Sequence, residues 1–241
     1  SEAVAYVSGR RDLLCTLFGV LALRAWWAFL ERSARRGLSL GLALLLGMLA
    51  LGAKETALTL PILAGLLAIL HARRSAVSLG AAGRNVARAA FATLVIALVL
   101  YPDRFVLAWH RIWLGPLAPQ PALSLQVLGD YLRLAIWPVR LSADYRLGAY
   151  DLPQSSFAAP ALLAGAALLA VLLLGFWLLR RGWVAGVGLL WFLVALLPVA
   201  QLVPYTEVLS EHNAYLPLVG LCLAAGDGVA RVALRKQLWT G

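Results

Sequence analysis

The sequence predicts an all-α fold, a polytopic membrane helical bundle of about seven transmembrane helices plus one interfacial amphipathic helix. Two observations predict it. Of the 241 residues, 62% are hydrophobic and only 13% are charged, which is more apolar surface than a soluble domain of this size can bury. The apolar residues also fall into seven runs separated by polar segments. We therefore expect residues 1–241 to form a single membrane domain.

The seven runs are candidate transmembrane helices because each is long and nearly free of charge. They cover residues 13–29, 38–51, 57–70, 89–101, 161–179, 184–200 and about 214–232. The second and third runs allow helices of about 15 residues, or roughly 22 Å, which is shorter than the roughly 30 Å hydrocarbon core. The turn between them should therefore lie at or slightly below one membrane face.

That turn, residues 52–61, places Lys54 beside Glu55. At this depth both charges are costly unless they pair, are hydrated in a cavity or bind a ligand. One interpretation is a pair that neutralises itself among the lipid headgroups. The other is a binding site for a charged lipid headgroup.

The basic residues predict the orientation of the bundle. They cluster at four places: Arg32, Arg35 and Arg36; Arg73, Arg74, Arg84 and Arg88; Arg180 and Arg181; Arg231, Arg235 and Lys236. If the seven runs alternate in direction, all four clusters lie on one face, and short loops rich in arginine and lysine stay cytoplasmic. The net charge of +10 is then explained by the orientation of the helices in the membrane. We expect no nucleic-acid partner, because the sequence shows no basic groove interleaved with aromatic residues.

The acidic residues concentrate on the opposite, outer face, with Glu31 and Asp227 as the exceptions. Acidic residues contribute little to orientation, so this pattern needs another cause. It is explained either by a partly enclosed active surface or by the solvation of outer loops. The two cysteines, Cys15 and Cys222, lie within apolar runs, and no metal-spaced cluster occurs, so no metal site is expected.

The outer-face segment 102–160 is too long for a simple connection and should carry structure of its own. Within it, residues 125–137 have Leu125, Leu128 and Leu132 on one helical face, which predicts an amphipathic helix along the outer interface. Pro138 ends this helix, and a turn-rich stretch with Asp144 and Tyr145 follows.

The last outer segment, residues 204–217, predicts a helix that begins near Ser210. Glu211 and Tyr215 would then share a face one turn apart, with His212 adjacent. The amide groups at such a helix start favour an anion such as phosphate.

Four blocks of the sequence together carry a family resemblance: SEAVAYVSGRRDLLCTLF, AKETALTLP, YLRLAIWPVRLSADYRLGAY and SEHNAYLPLVGLCLAAG. In this order and spacing, across nearly the whole chain, they resemble the membrane half of the transmembrane, tetratricopeptide-containing O-mannosyltransferases, the cadherin-mannosylating proteins and their bacterial relatives. The chain departs from the family at Arg11, where a small residue is common, and near Asn213, where an aromatic or basic residue is common.

The resemblance implies a glycosyltransferase fold of the C type. Such an enzyme takes a sugar, here mannose, from a polyprenyl or dolichyl phosphate carrier and transfers it to a protein hydroxyl on the lumenal or periplasmic face. The expected location is a bacterial inner membrane or the endoplasmic reticulum membrane, with the lipid-linked sugar donor in place of any cofactor. The substrate-binding residues that follow from it are Arg10, Asp12, Lys54, Glu55, Asp144, Tyr145, Glu211, His212 and Tyr215.

In that family the catalytic base is an acidic residue of a first outer loop, which we expect upstream of Ser1, and tetratricopeptide repeats would follow Gly241. The 241 residues alone should therefore be a catalytically inactive piece of a longer protein. Two alternatives use the same residues: a polyprenyl-linked glycan ligase or polymerase, and a non-enzymatic transporter or flippase with Lys54 and Glu55 as its coupling site.

Overall fold

The structure, a computed structural model, describes residues 9–31, 35–75, 121–138, 159–201 and 208–240. Within these ranges the chain forms helices and connecting turns, with no strand. The predicted helical bundle is therefore confirmed for the described part of the chain. The predicted run 89–101 and the predicted site residues Asp144 and Tyr145 lie outside it.

Seven α-helices and three short 3₁₀ helices make up the described fold. In chain order they are α1 (Arg10–Leu30), α2 (Arg36–Ala53), a 3₁₀ helix (Glu55–Thr59), α3 (Leu60–Arg74), α4 (Pro121–Ile136), α5 (Ala159–Arg180), α6 (Val184–Leu196), a 3₁₀ helix (Leu197–Val199), a 3₁₀ helix (Glu211–Ala214) and α7 (Tyr215–Thr240). Six of the seven predicted runs coincide with these helices, and the amphipathic run coincides with α4.

Five helical stretches are long and apolar enough to cross a membrane: Arg10–Leu30, Arg36–Ala53, Glu55–Arg74, Ala159–Arg180 and Glu211–Leu234. The stretch Val184–Val199 is apolar but shorter. Many large apolar side chains on these helices point outward, such as Leu163, which is 72% exposed, and Leu38, which is 56% exposed. A large exposed apolar surface is typical of a surface that contacts a membrane or another protein.

The central element is α3, because its membrane-length stretch is 67% buried, whereas that of α2 is 11% buried. Its apolar residues share a core with α1 and α6. Two tryptophans tie the bundle together through buried hydrogen bonds. Trp26 Nε1 of α1 donates to the Ala64 carbonyl oxygen at 3.0 Å, and Trp191 Nε1 of α6 donates to that of Leu216 at 2.9 Å.

The most buried face of α4 is rotated from the one that the leucine spacing predicts, although Leu128 and Leu132 pack against the same core. Leu123, Val127 and Tyr131 are buried against α6 and residues 208–209, while Ile136 is 70% exposed. The helix also begins at Pro121, earlier than expected. The face differs from the prediction because α4 packs against α5 through Gly129, where a Cβ would lie 2.5 Å from Cβ of Ala164. This close approach decides the rotation of the helix.

Helices α6 and α7 pack backbone to backbone at two glycines. A Cβ at Gly220 would lie 2.5 Å from the carbonyl oxygen of Gly188 and 2.8 Å from the amide nitrogen of Phe192. Small residues at helix crossings allow such contact, which supplies dispersion energy between helices that lipid cannot match.

The substitution Gly220→Ala should lower the free energy of unfolding by about 1–3 kcal/mol, because the added methyl group meets backbone atoms that can move only with their helices. Thermal unfolding of the detergent-solubilised protein measures it. The matched control is Gly47→Ala on α2, where a Cβ meets nothing within 4 Å and little change or a small gain is expected. Equal unfolding temperatures for Gly220→Ala and the native protein would contradict the close α6–α7 contact.

Candidate functional site

Three helix ends meet at one end of the bundle and bring polar side chains together. Asp12 is the third residue of α1, Lys54 is the extended residue that separates α2 from the following 3₁₀ helix, and residues 211–214 lead into α7. Helix α2 ends at Lys54 because the backbone of this residue is extended, with φ −158° and ψ 145°. Pro61 stands at the second position of α3, where its missing N–H would be unpaired in any helix.

The centre of the site is the ammonium group of Lys54. Its Nζ lies 2.5 Å from Oδ1 of Asp12 and 2.6 Å from Oδ1 of Asn213. The side chains of Lys54 and Asp12 are only 15% and 7% exposed. Lys54, whose buried charge would be unfavourable alone, is therefore paired. Its partner is Asp12 of α1 instead of the adjacent Glu55.

His212 extends this network toward α4. Its Nδ1 lies 2.8 Å from Oγ of Ser210, and its Nε2 lies 3.9 Å from Oδ2 of Asp12. Ser210 is held in turn by Tyr131 of α4, whose hydroxyl donates to the Ser210 carbonyl oxygen at 2.9 Å and accepts from its amide at 3.1 Å. The network therefore joins α1, α4 and the approach to α7.

A cavity of about 190 Å³ opens beside this network and is called the Lys54 pocket here. Its lining residues are Lys54, Glu55, Thr56, Tyr131, Pro198, Val199, Gln201, Val208, His212 and Asn213. Gln201, which is 5% exposed, adopts a φ of 55°, unusual for a residue with a side chain. Its side-chain amide donates to the Val208 carbonyl oxygen at 3.0 Å and so holds the wall of the pocket in this conformation.

A second cavity, of about 320 Å³, lies between α1, α2 and α3 and is called the apolar groove. Trp26, Leu40, Gly47, Met48 and Leu60 are among the residues that line it. Leu51 and Ala57, which also line it, stand just before and just after the Lys54 turn. The polar pocket and the apolar groove therefore border the same short stretch of chain.

Arg11 lies above the turn at the rim of the site. Its Nε donates to the carbonyl oxygen of Ala53, the last residue of α2, at 3.0 Å, and its guanidinium group is 3.8 Å from Oε2 of Glu55. With a side chain that is 53% exposed, Arg11 has most of its surface toward solvent. A cation at this rim can meet an approaching anion before Lys54 does.

The structure brings three of the predicted site residues, Asp12, Lys54 and His212, into one network. Glu55 lines the pocket, while Glu211 and Tyr215 are partly buried in the segment that starts α7. Arg10 is exposed and makes no hydrogen bond or ion pair with the described residues. It therefore stands outside the network that it was expected to complete.

Sequence reasoning missed Asn213, Ser210, Tyr131 and Gln201 as parts of the site. Asn213 and Arg11 did carry a signal, since both mark departures from the family pattern. Tyr131 and Gln201 carried none, because each reaches the site through a contact with residues of the 208–210 stretch that the spacing in the chain does not reveal.

The pocket presents hydrogen-bonding groups of the kind that suit a small anion or a polyhydroxyl group. A lysine ammonium has three N–H donors, and Asp12 and Asn213 occupy two of them. The third donor, the Asn213 amide and the His212 ring offer further hydrogen bonds. Among the described residues no group of three histidine, cysteine or acidic side chains is placed to hold a metal ion.

The chain matches no protein-family model, no curated protein and no solved structure.

The buried ion pair generates a stability prediction. Lys54→Ala should cost about 3–5 kcal/mol of unfolding free energy, because it leaves the buried Asp12 carboxylate without its partner. The double variant Lys54→Met, Asp12→Leu should be more stable than Lys54→Ala, because it removes both charges. Unfolding of the detergent-solubilised variants measures both effects.

The matched control is the exposed pair Asp130 and Arg133, whose arginine side chain is 51% exposed. Arg133→Ala should cost less than about 1 kcal/mol. If Lys54→Ala costs no more than Arg133→Ala, the Lys54 and Asp12 charges are not buried together.

Proposed function

We propose that this protein is an integral membrane glycosyltransferase. It moves a sugar, mannose by the family resemblance, from a polyprenyl or dolichyl phosphate carrier to a protein hydroxyl on the lumenal or periplasmic face. The observation that carries the proposal is the adjacency of the Lys54 pocket and the apolar groove on the same turn. A lipid-linked sugar phosphate needs a polar and an apolar site side by side.

The membrane embedding is supported by the outward-facing apolar side chains and the five helical stretches of spanning length. The two ends of the bundle also differ in charge. Asp12 and Glu55 lie with Lys54, Arg10 and Arg11 at one end, whereas Arg36, Arg74 and Arg180 lie at the opposite helix ends. With the arginine-rich end cytoplasmic, the Lys54 pocket faces the lumen or periplasm.

The Lys54 pocket suits the headgroup of the donor. Its volume of about 190 Å³ is below the roughly 300–1,000 Å³ of pockets that enclose whole drug-sized ligands, so it encloses only part of a lipid-linked sugar phosphate. Lys54 and Asn213 supply charge and hydrogen bonds to the phosphate. Glu55 and His212 are placed to bond sugar hydroxyls.

The apolar groove suits the carrier chain. It is lined by aliphatic, glycine and tryptophan side chains, and each methylene group that it takes from water contributes about 0.8 kcal/mol. Gly47 leaves open space on the α2 side of the groove, since a Cβ there would meet nothing within 4 Å. A flexible hydrocarbon chain fits such a surface without polar partners.

In the proposed reaction the acceptor hydroxyl attacks the anomeric carbon of the sugar. A new carbon–oxygen bond forms there as the bond to the carrier phosphate breaks, so the configuration inverts. A carboxylate base takes the hydroxyl proton, and the departing lipid phosphate keeps the bonding electrons. Lys54 and Arg11 stabilise the negative charge on that phosphate.

A transporter or flippase is less well supported by the geometry. Such proteins place their coupling charges near the middle of the membrane, on interrupted helices. Here Asp12, Lys54 and Asn213 all lie at helix ends. A glycan ligase or polymerase would use the same pocket and groove, and only the acceptor distinguishes it from protein mannosylation.

The pocket generates a binding prediction. Asn213→Asp should weaken binding of mannosyl phosphoryl polyprenol by about tenfold or more, because a second carboxylate within reach of Lys54 repels the phosphate. The fold should persist, since the new carboxylate can still accept from Lys54 Nζ. Titration of the donor into nanodisc-embedded protein, followed by tryptophan fluorescence, measures the affinity.

Arg133→Gln is the control for this experiment and should bind the donor normally. Unchanged donor affinity in Asn213→Asp contradicts the assignment of the pocket to the phosphate. Movement of the lipid across proteoliposomes that depends on Lys54 would favour the flippase instead.

The groove generates a prediction about chain length. Gly47→Leu should weaken binding of a long-chain polyprenyl phosphate by about tenfold, since the new side chain displaces roughly two methylene groups, while binding of a short-chain phosphate stays unchanged. The matched control is Gly41→Leu, which also has open space on α2 but does not line the groove. Equal losses for both chain lengths, or for both variants, would exclude the groove as the site of the carrier chain.

A further inference from the structure

At the end of the bundle away from Lys54, two chain segments bring four arginines together, and the set is called the arginine cluster here. Arg73 and Arg74 end α3, while Arg180 ends α5 and Arg181 follows it in a turn. The segments touch, because Arg74 Nε donates to the Gly182 carbonyl oxygen at 2.9 Å. A Cβ at Gly182 would lie 3.9 Å from Cβ of Arg73.

The charge of this cluster exceeds that of the neighbouring carboxylate of Asp227, which interacts electrostatically with Arg74. Asp227 lies in the middle of α7 and already accepts hydrogen bonds from Arg231 at 3.0 Å and from the Ala185 amide at 3.1 Å. Within the part of the chain that the structure describes, Arg73, Arg74, Arg180 and Arg181 form no ion pair. Like charges gathered at the adjoining ends of two helices repel one another.

Tryptophans place the cluster at the depth of lipid headgroups. Arg181 stacks on the Trp177 ring, with 3.9 Å from its Cζ to the ring centroid, and Arg231 stacks on Trp183 at the same distance. Tryptophan side chains concentrate at the boundary between hydrocarbon and headgroups. Arginine side chains at that boundary lie beside phosphodiester groups, which the planar guanidinium fork binds well.

We propose that the arginine cluster is a binding site for the phosphodiester of an anionic glycerophospholipid in the leaflet opposite the Lys54 pocket. The negative phosphodiester of the lipid neutralises part of the positive charge of the four arginines. By contacting arginines of both segments it holds the ends of α3 and α5 together. This inference rests on the membrane embedding of the proposed function and is independent of glycosyl transfer.

Arg73 and Arg180 provide a clean test because both are exposed and neither makes a hydrogen bond or ion pair with the described residues. Arg74, by contrast, donates a hydrogen bond to the Gly182 carbonyl oxygen, and Arg181 stacks on the Trp177 ring. The double variant Arg73→Gln, Arg180→Gln should therefore fold. The control Arg24→Gln, Arg133→Gln removes the same charge at two exposed arginines outside the cluster.

The probes are phosphatidylglycerol, phosphatidylcholine with the same acyl chains, and inorganic phosphate. Each is titrated into delipidated protein in detergent, with the unfolding temperature and native mass spectrometry as readouts. Phosphatidylglycerol should raise the unfolding temperature of the native protein and of the control variant, and it should bind both with the same affinity. It should bind the cluster variant roughly 30-fold more weakly.

Equal stabilisation by phosphatidylglycerol and phosphatidylcholine overturns the proposal, as does unchanged phosphatidylglycerol affinity in the cluster variant. Saturation by inorganic phosphate at the same concentrations would reassign the cluster to free anions. If the cluster variant does not fold, the comparison of the two lipids on the native protein decides. Donor binding at the Lys54 pocket should not change in the cluster variant, so the two proposals fail separately.

Discussion

The buried contact of Lys54 with Asp12 is the constraint on which the described structure depends. Two opposite charges that are nearly inaccessible to water must meet, because either one alone would cost several kcal/mol. For Lys54 and Asp12 to meet, the start of α1 and the end of α2 must lie at the same level. The hydrogen bond between Lys54 and Asn213 fixes the start of α7 at that level as well. The pocket exists because these helix ends converge without filling the space between them.

The two sides of the Lys54 turn have opposite characters, and packing explains why. On one side the turn faces α4, Gln201 and the start of α7, where tyrosine, histidine and amide groups bond to one another and to main-chain groups. On the other side α2 contacts mainly α1 and stays apart from α3, which leaves the apolar groove. The Lys54 turn therefore borders a polar pocket on one side and an apolar groove on the other.

Much of the secondary structure could be predicted because apolar runs are a local property of the chain. Residues 13–29 and 161–179, for example, lie within α1 and α5. The site was predicted less completely. Lys54 could be identified because its cost in an apolar context is visible in the sequence, and Asp12 because it lies in a motif of the resembling family. The pairing of Lys54 with Asp12 instead of Glu55 could not be predicted, since adjacent residues in an extended turn point in different directions.

Composition and the order of charges alone determined that this chain is helical and apolar, and they placed Lys54 at the helix ends opposite to Arg74 and Arg180. Tertiary structure alone decided which face of α4 is buried, that Asn213 and Tyr131 join the site, and that Arg10 stays outside it. The physical reason is that helix formation and apolar periodicity depend on neighbours in the chain. The rotation of one helix against another depends instead on close contacts such as Gly129 with Ala164, between residues far apart in sequence.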